Sequence, residues 1–183
     1  GKKGIKIIPC YYKKDYPEWS DRGDGPGAPV AVHLPNSPVI STGKRDGSKI
    51  RLPNGNYLEE TASYFVMVET KTGGFTPALI TMKSTQLNVS KKWNSMMKTI
   101  QIPDGKGGFA IPPMHGVVYN LASTLQKNDK GSWYGWVVTQ DRIMGQDDKA
   151  LYLSAKEFAG NVSKGSVQTK ADVEETSSDS TPY

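Results

Sequence analysis

Cysteine is almost missing from this chain, which has a single one, Cys10, in 183 residues. No disulfide can close within it, and it carries no mark of an oxidising compartment. The thiol lies in a β-branched, aromatic stretch and reads as a small buried residue rather than a reactive one. Long apolar runs are missing too. No stretch approaches the ~20 residues that a bilayer-spanning helix needs, and no charged-then-apolar leader opens the sequence. The expectation is a soluble, unsecreted protein with no membrane partner. The chain starts at Gly1 rather than Met, which leaves room for a trimmed or missing upstream segment.

Reactive constellations are equally scarce. His33 and His115 fall in or beside loops with no second ligand at metal spacing. Glu59 and Glu60 are neighbours on a predicted strand and so point to opposite faces. Asp147 and Asp148 sit where a helix starts, and acids there are ordinary capping residues. Gly105-Lys106-Gly107-Gly108 lacks the Gly-Lys-Ser/Thr ending of a phosphate loop and runs into Pro112 and Pro113 instead of a helix. No enzyme activity, metal or cofactor is expected. Asn-x-Ser at Asn88 and Asn161, and Arg-Gly-Asp at 22–24, are read as chance triplets.

What is present is β-rich sequence with many breakers: 19 glycines, 12 prolines and a hydrophobic fraction of 36%. The length suits one domain. Ile5 to Lys13 reads as a strand, with Pro9 at an edge or bulge. Residues 15–38 read as an exposed Gly/Pro loop with at most a short strand at Val30 to His33. Lys44 to Asn56 reads as a basic, turn-rich connection. Glu60 to Thr70 is the strongest strand, and Thr72-Gly73-Gly74 turns it into a second, Thr76 to Thr81. Val89, Trp93, Met96, Met97 and Ile100 then recur at helical spacing, with Ser84 or Thr85 as cap and Lys91, Lys92 and Lys98 on the other face. After a Gly/Pro loop at 103–113, Val117 to Gln126 and Ser132 to Arg142 pair as a hairpin across residues 127–131. Leu151, Ala155, Phe158, Ala159 and Val162 mark a closing helix, started by Asp147 or Asp148 and stopped by Gly165.

Strands, a helix, then a hairpin is the element order of the oligonucleotide-binding (OB) barrel. The expected fold is therefore mainly β with two helices, an OB-like five-stranded Greek-key barrel (β-β-β-α-β-β) over residues 1–165 with an added C-terminal helix. Residues 166–183 are expected to be a flexible acidic tail. Of the chain's 23 basic and 18 acidic side chains, that tail holds Lys170 against Asp172, Glu174, Glu175 and Asp179. So 22 and 14 remain in the body, a formal +8. A basic body attracts polyanions, nucleic acid first.

Cations and flat rings interleave in three groups, from Tyr11 to Arg22, at Lys91-Lys92-Trp93, and from Lys127 to Arg142. Single-strand binders need that combination, because each base offers a stacking face and the phosphates follow the cations. The candidate nucleic-acid-binding residues are Tyr12, Lys13, Lys14, Trp19, Arg45, Lys91, Lys130, Tyr134 and Trp136. Core packing is the competing reading for each ring. It is favoured for Trp93, which lies on the apolar helix stripe. In 132–136, alternation puts Trp133 and Gly135 on one face and Tyr134 and Trp136 on the other; the sequence leaves open which face is buried.

The tail, ending Ser-Thr-Pro-Tyr, resembles those of bacterial and phage single-stranded-DNA-binding proteins, which end in acids and a terminal aromatic. The resemblance implies that Asp172, Glu174, Glu175, Asp179 and Tyr183 recruit replication or recombination proteins. The body is similar to a set of phage-encoded proteins in Pro9-Cys10-Tyr11-Tyr12, Glu18-Trp19, Ser90-Lys91-Lys92-Trp93 and Gly131-Ser132-Trp133, over most of residues 5–162; it implies a phage source. Together these readings give a phage single-stranded-DNA-binding protein working in the host cytoplasm in replication or recombination, with self-association left open. The alternative is a phage structural or accessory interaction module without DNA affinity.

Overall fold

β-branched and aromatic residues hold the backbone extended from Ile5 to Trp19 in a single long strand, β1. It runs further than the sequence suggests, through Asp15 to Trp19. The computed structural model describes residues 4–21, 27–129 and 131–166. Among these, β1 is followed by β2 (Ala31–His33), the single-turn helix α1 (Pro38–Thr42), β3 (Lys44–Asp46), β4 (Lys49–Arg51) and β5 (Tyr57–Glu59). Then come β6 (Thr61–Glu69), β7 (Phe75–Lys83), α2 (Leu87–Thr99), β8 (Ile102–Pro103), β9 (Phe109–Ala110), β10 (Val117–Asn128), β11 (Gly131–Ile143) and α3 (Lys149–Ser163). None of the described helices is long and apolar enough to cross a membrane. Residues 167–183, including all five tail residues proposed for partner recruitment, lie outside the described residues, as does Lys130.

The chain divides into two compact units, one of residues 1–13 and 62–159, the other of residues 14–61 and 160–183. In the first, the strands lie in the order β7-β6-β1-β10-β11 in a curled antiparallel sheet. In chain order these are strands one, two and three, then α2, then four and five. That is the neighbour pattern of an OB barrel with its helix between strands three and four. The β10 ladder on β1 ends at Ile7, two residues short of Pro9, which has no N–H to give. β7 and β11, the outer strands, share no ladder among the described residues.

The core of this unit is built on rings. Trp93 of α2 stacks on Tyr64 of β6, with centroids 4.3 Å apart and planes 27° apart, and meets Tyr119 of β10 edge-on at 5.6 Å. The Tyr64 hydroxyl lies 2.7 Å from Ser90 Oγ and donates to the Ser90 carbonyl at 3.1 Å. The Ser-x-x-Trp spacing on α2 therefore satisfies a buried phenol and packs its ring at once. Cys10 lies in a neighbouring cluster with Ile8, Met67, Val118 and Ala155. Burial pushes its thiol up to about 12, so it is an inert core residue.

Two local expectations are corrected. Neither Ser84 nor Thr85 caps α2. Both belong to a 3-10 turn, Ser84–Gln86, with Ser84 at a φ of 52°. And Lys44 to Asn56 is not an irregular connection, because its cations alternate with Ile50 and Leu52 and so can pair as strands. β3, β4 and β5 form an antiparallel meander joined to the far end of β1, where β2 also pairs. Its core is Tyr16, Ile50, Leu52 and Leu58. At the C-terminal side, Gly165 ends α3 as expected, at a φ of 72° that favours glycine.

Candidate nucleic-acid interface

The second unit places Lys14, Trp19 and Arg45, and its charges are largely paired. Lys14 Nζ lies 2.7 Å from Glu60 Oε1, and that hydrogen bond raises the lysine's pKa. Arg51 reaches Asp21 at 3.2 Å and Asp46 at 3.5 Å. Lys49 Nζ sits 3.6 Å from the centroid of the Tyr57 ring. Trp19 is half-buried on β1, opposite Tyr57 in the ladder. Arg45 is exposed and sits opposite Ile50, hence on the other side of the meander from Lys44, Arg51 and Tyr57.

Glu18, nearly buried on β1, is the hub of this unit. Its Oε2 accepts from His33 at 2.7 Å, and its Oε1 accepts from Asn56 at 2.6 Å and Asn54 at 3.1 Å. Burial acts to raise its pKa, but the hydrogen bonds from Asn56, His33 and Asn54 outweigh it and hold the carboxyl below its ordinary range. His33 thus has a structural partner. His115, in the first unit, packs against Tyr152 with centroids 5.1 Å apart; burial and Lys156 lower its pKa. Among the described residues no three His, Cys, Asp or Glu side chains group as a metal site.

The first unit holds Tyr12, Lys13, Lys91, Tyr134 and Trp136. Tyr12 is half-buried with its ring 4.9 Å from that of Tyr64, so it belongs to the core edge. Lys13 follows it on β1, half-buried. The hairpin of β10 and β11 is different. Its ladder pairs Leu121 with Val138, Ser123 with Trp136 and Leu125 with Tyr134, and residues directly opposite share a face. At the base of this column Leu121 and Val138 are core. Further out the hairpin outruns the core, leaving Leu125 49%, Trp136 38% and Tyr134 65% exposed. Tyr134 and Trp136 are thus the exposed set that the sequence could not choose. Leu125 was missed; the pairing of Asn128 with Gly131 places it opposite Tyr134 by simple counting.

A clamp beside α2 positions this face. Gln86 Oε1 accepts from the backbone N–H of Trp136 at 3.1 Å, tying the turn after β7 to the edge of β11. A Cβ at residue 135 would lie 2.6 Å from Gln126 Nε2 and 2.9 Å from Gln86 Nε2, so a larger residue there would make both glutamine side chains shift. α2 starts directly after Gln86, and Lys91 lies five residues on, ~7–8 Å along the axis. Lys91, Lys92 and Lys98 are exposed, the helix has no acidic residue, and none of the three has an ion pair among the described residues. Lys91 and Lys98, seven apart, share one face. Residues 1–168 match the family model described as Pam3 phage gp34-like protein. No curated protein and no solved structure matches the chain.

Proposed function

This chain belongs to the Pam3 phage gp34-like family, and from that premise we propose that it binds single-stranded DNA without reading its sequence, in phage replication or recombination and without a catalytic step. Bases would stack on Tyr134 and Trp136 and lie against Leu125, while Lys91, Lys92 and Lys98 draw in the phosphates. The observation that carries this reading is the hairpin face whose rings leave the core beside a helix whose charged side chains are all cations, without an ion pair among the described residues. Stacking tolerates any base, because every base has a π-face. The acidic segment with Asp172, Glu174, Glu175, Asp179 and Tyr183 would recruit replication or recombination proteins in the infected cell.

The second reading, an accessory phage interaction module without DNA affinity, is favoured by one feature. Phe109 and Ile111, on and just after the β8–β9 ribbon, are 70% and 59% exposed, an apolar tip that suits a protein partner. Titration with oligo-dT and with duplex DNA at two ionic strengths, followed by tryptophan fluorescence, separates the two. Tight binding to the single strand, quenched fluorescence and a steep loss with salt are expected. Absent or salt-insensitive binding would overturn the nucleic-acid reading.

A further inference from the structure

The Gly/Pro stretch after α2 folds in part as the β8–β9 ribbon, in which Ile102 pairs with Ala110 and Pro103 with Phe109. Both of its ends are planted in the first unit: Ile100, two residues before β8, is core, and Pro112, two residues after β9, is buried. The turn between the strands is fixed by its own residues. Gly105 and Gly107 take φ values of 74° and 90°, a region that favours glycine, and the Asp104 N–H donates to the Gly108 carbonyl at 3.0 Å. Asp104 Oδ1 in turn accepts from the backbone N–H groups of Lys106 and Gly108 at 2.8 Å and 2.9 Å. The ribbon's one acid is thus engaged within the turn. Lys106 is exposed with no ion pair among the described residues, and the Phe109 ring is 70% exposed.

α2 joins this ribbon to the hairpin face. It starts directly after Gln86, whose side chain holds the Trp136 backbone N–H, and ends at Thr99, three residues before Ile102 opens the ribbon. Its 13 residues span about 20 Å, and Lys91 and Lys98 lie along that length on one face. We propose that the ribbon is a second stacking contact for the same single strand, with a base on the Phe109 ring and a phosphate at Lys106, so that the strand follows α2 from the hairpin face to the ribbon. This rests on the nucleic-acid reading above. Charge favours that occupant over a second copy of the chain, because residues 1–165 carry a formal +8, which repels its like and draws a polyanion. At the ~3.4 Å rise of stacked bases, about six nucleotides cover the helix. That lies within the ~4–16 that one OB fold occupies.

Strand length separates the ribbon from the hairpin face. An oligo-dT of about four residues is too short to reach from one to the other, and one of about twelve is long enough. In fluorescence anisotropy titrations of the full chain, Phe109→Ala should bind the longer strand at least about five-fold more weakly, the lower end of one stacked base, and the shorter within about two-fold of native. Phe109→Leu keeps apolar bulk without a π-face and should lose as much. Lys106→Ala should flatten the salt dependence for the longer strand by about 0.7. Circular dichroism should match the native chain, since both side chains lie outside the core. Native affinity of Phe109→Ala for the longer strand, equal losses at both lengths, or full affinity in Phe109→Leu would overturn the ribbon contact and leave the hairpin face standing. Binding of neither strand by the native chain would remove both and leave the exposed tip to a protein partner.

Discussion

The two units carry similar ingredients, lysines and arginines next to aromatic rings, and dispose of them in opposite ways. In the second unit Lys14, Arg51 and Lys49 are taken up by Glu60, by Asp21 and Asp46, and by the Tyr57 ring. In the first, α2 has three lysines and no acid, beside a hairpin whose rings have left the core. A cation near a ring becomes a polyanion contact only if the fold has not already matched it. Matched pairs at a surface contribute little to stability and leave little field outside. Unmatched ones keep their counterions, and release of those drives binding.

If that contrast governs strand binding, the largest effect should come from the rings. Tyr134→Ala with Trp136→Ala removes two stacking platforms at ~1–3 kcal/mol each, a loss of at least ~30-fold for oligo-dT by fluorescence anisotropy. Circular dichroism should be unchanged, because both side chains are exposed at the outer part of the hairpin. Near-native affinity in the double variant would break the comparison at its stronger end.

The lysines sharpen it. Replacing Lys91, Lys92 and Lys98 with alanine should flatten the dependence of log affinity on log salt by about 2, since each phosphate contact on a single strand contributes ~0.7. The matched variant in the other unit, Lys14→Ala with Arg51→Ala, should leave that slope within about 0.5. Equal slopes for the two variants, read from titrations at four salt concentrations, would show that pairing in the fold does not decide which cations act.

Most of the fold was legible in the sequence, because long amphipathic elements announce their period. The stripe Val89, Trp93, Met96, Met97 gave α2, and the two apolar runs around residues 127–131 gave the hairpin, whose ladder runs closer to the tip, to Asn128 and Gly131. Of the short strands of the second unit, only β2 was anticipated, in the short strand allowed at Val30 to His33; β3, β4 and β5 were not legible. Each is three residues long, too brief for a period, and they are held by pairing with one another and with β1 rather than by propensity. The α2 start was missed for a related reason: Ser84 is a good capping residue by type, but the chain tightens into a 3-10 turn there, and the last residue of that turn, Gln86, meets the Trp136 N–H instead. At the site, sequence adjacency could group Lys14, Trp19 and Arg45 with Lys91 and Trp136, yet it carries no information on ion pairs. Lys14 and Glu60 are 46 positions apart, and only the folded chain brings them together.

The smallest effect tests the satisfied side of the comparison. Glu18 receives three side-chain hydrogen bonds in the ionised state, so its pKa is lower in the folded chain than in the unfolded one. The group then contributes stability that is fully present above the ordinary glutamate range and is lost as pH falls through the depressed folded value. Denaturant midpoints should therefore hold steady from pH 7 down to about 4.5 and decline below it. Glu18→Gln retains the shape and an acceptor but has no charge to lose. It should cost about 1–2 kcal/mol near neutrality, as a charged hydrogen-bond centre becomes a neutral one, and show a shallower acid decline. An acid decline in Glu18→Gln that still tracks the native protein would assign the acid sensitivity to carboxylates elsewhere. Strand affinity should stay within two-fold in this variant, since the rings and lysines that carry it belong to the other unit.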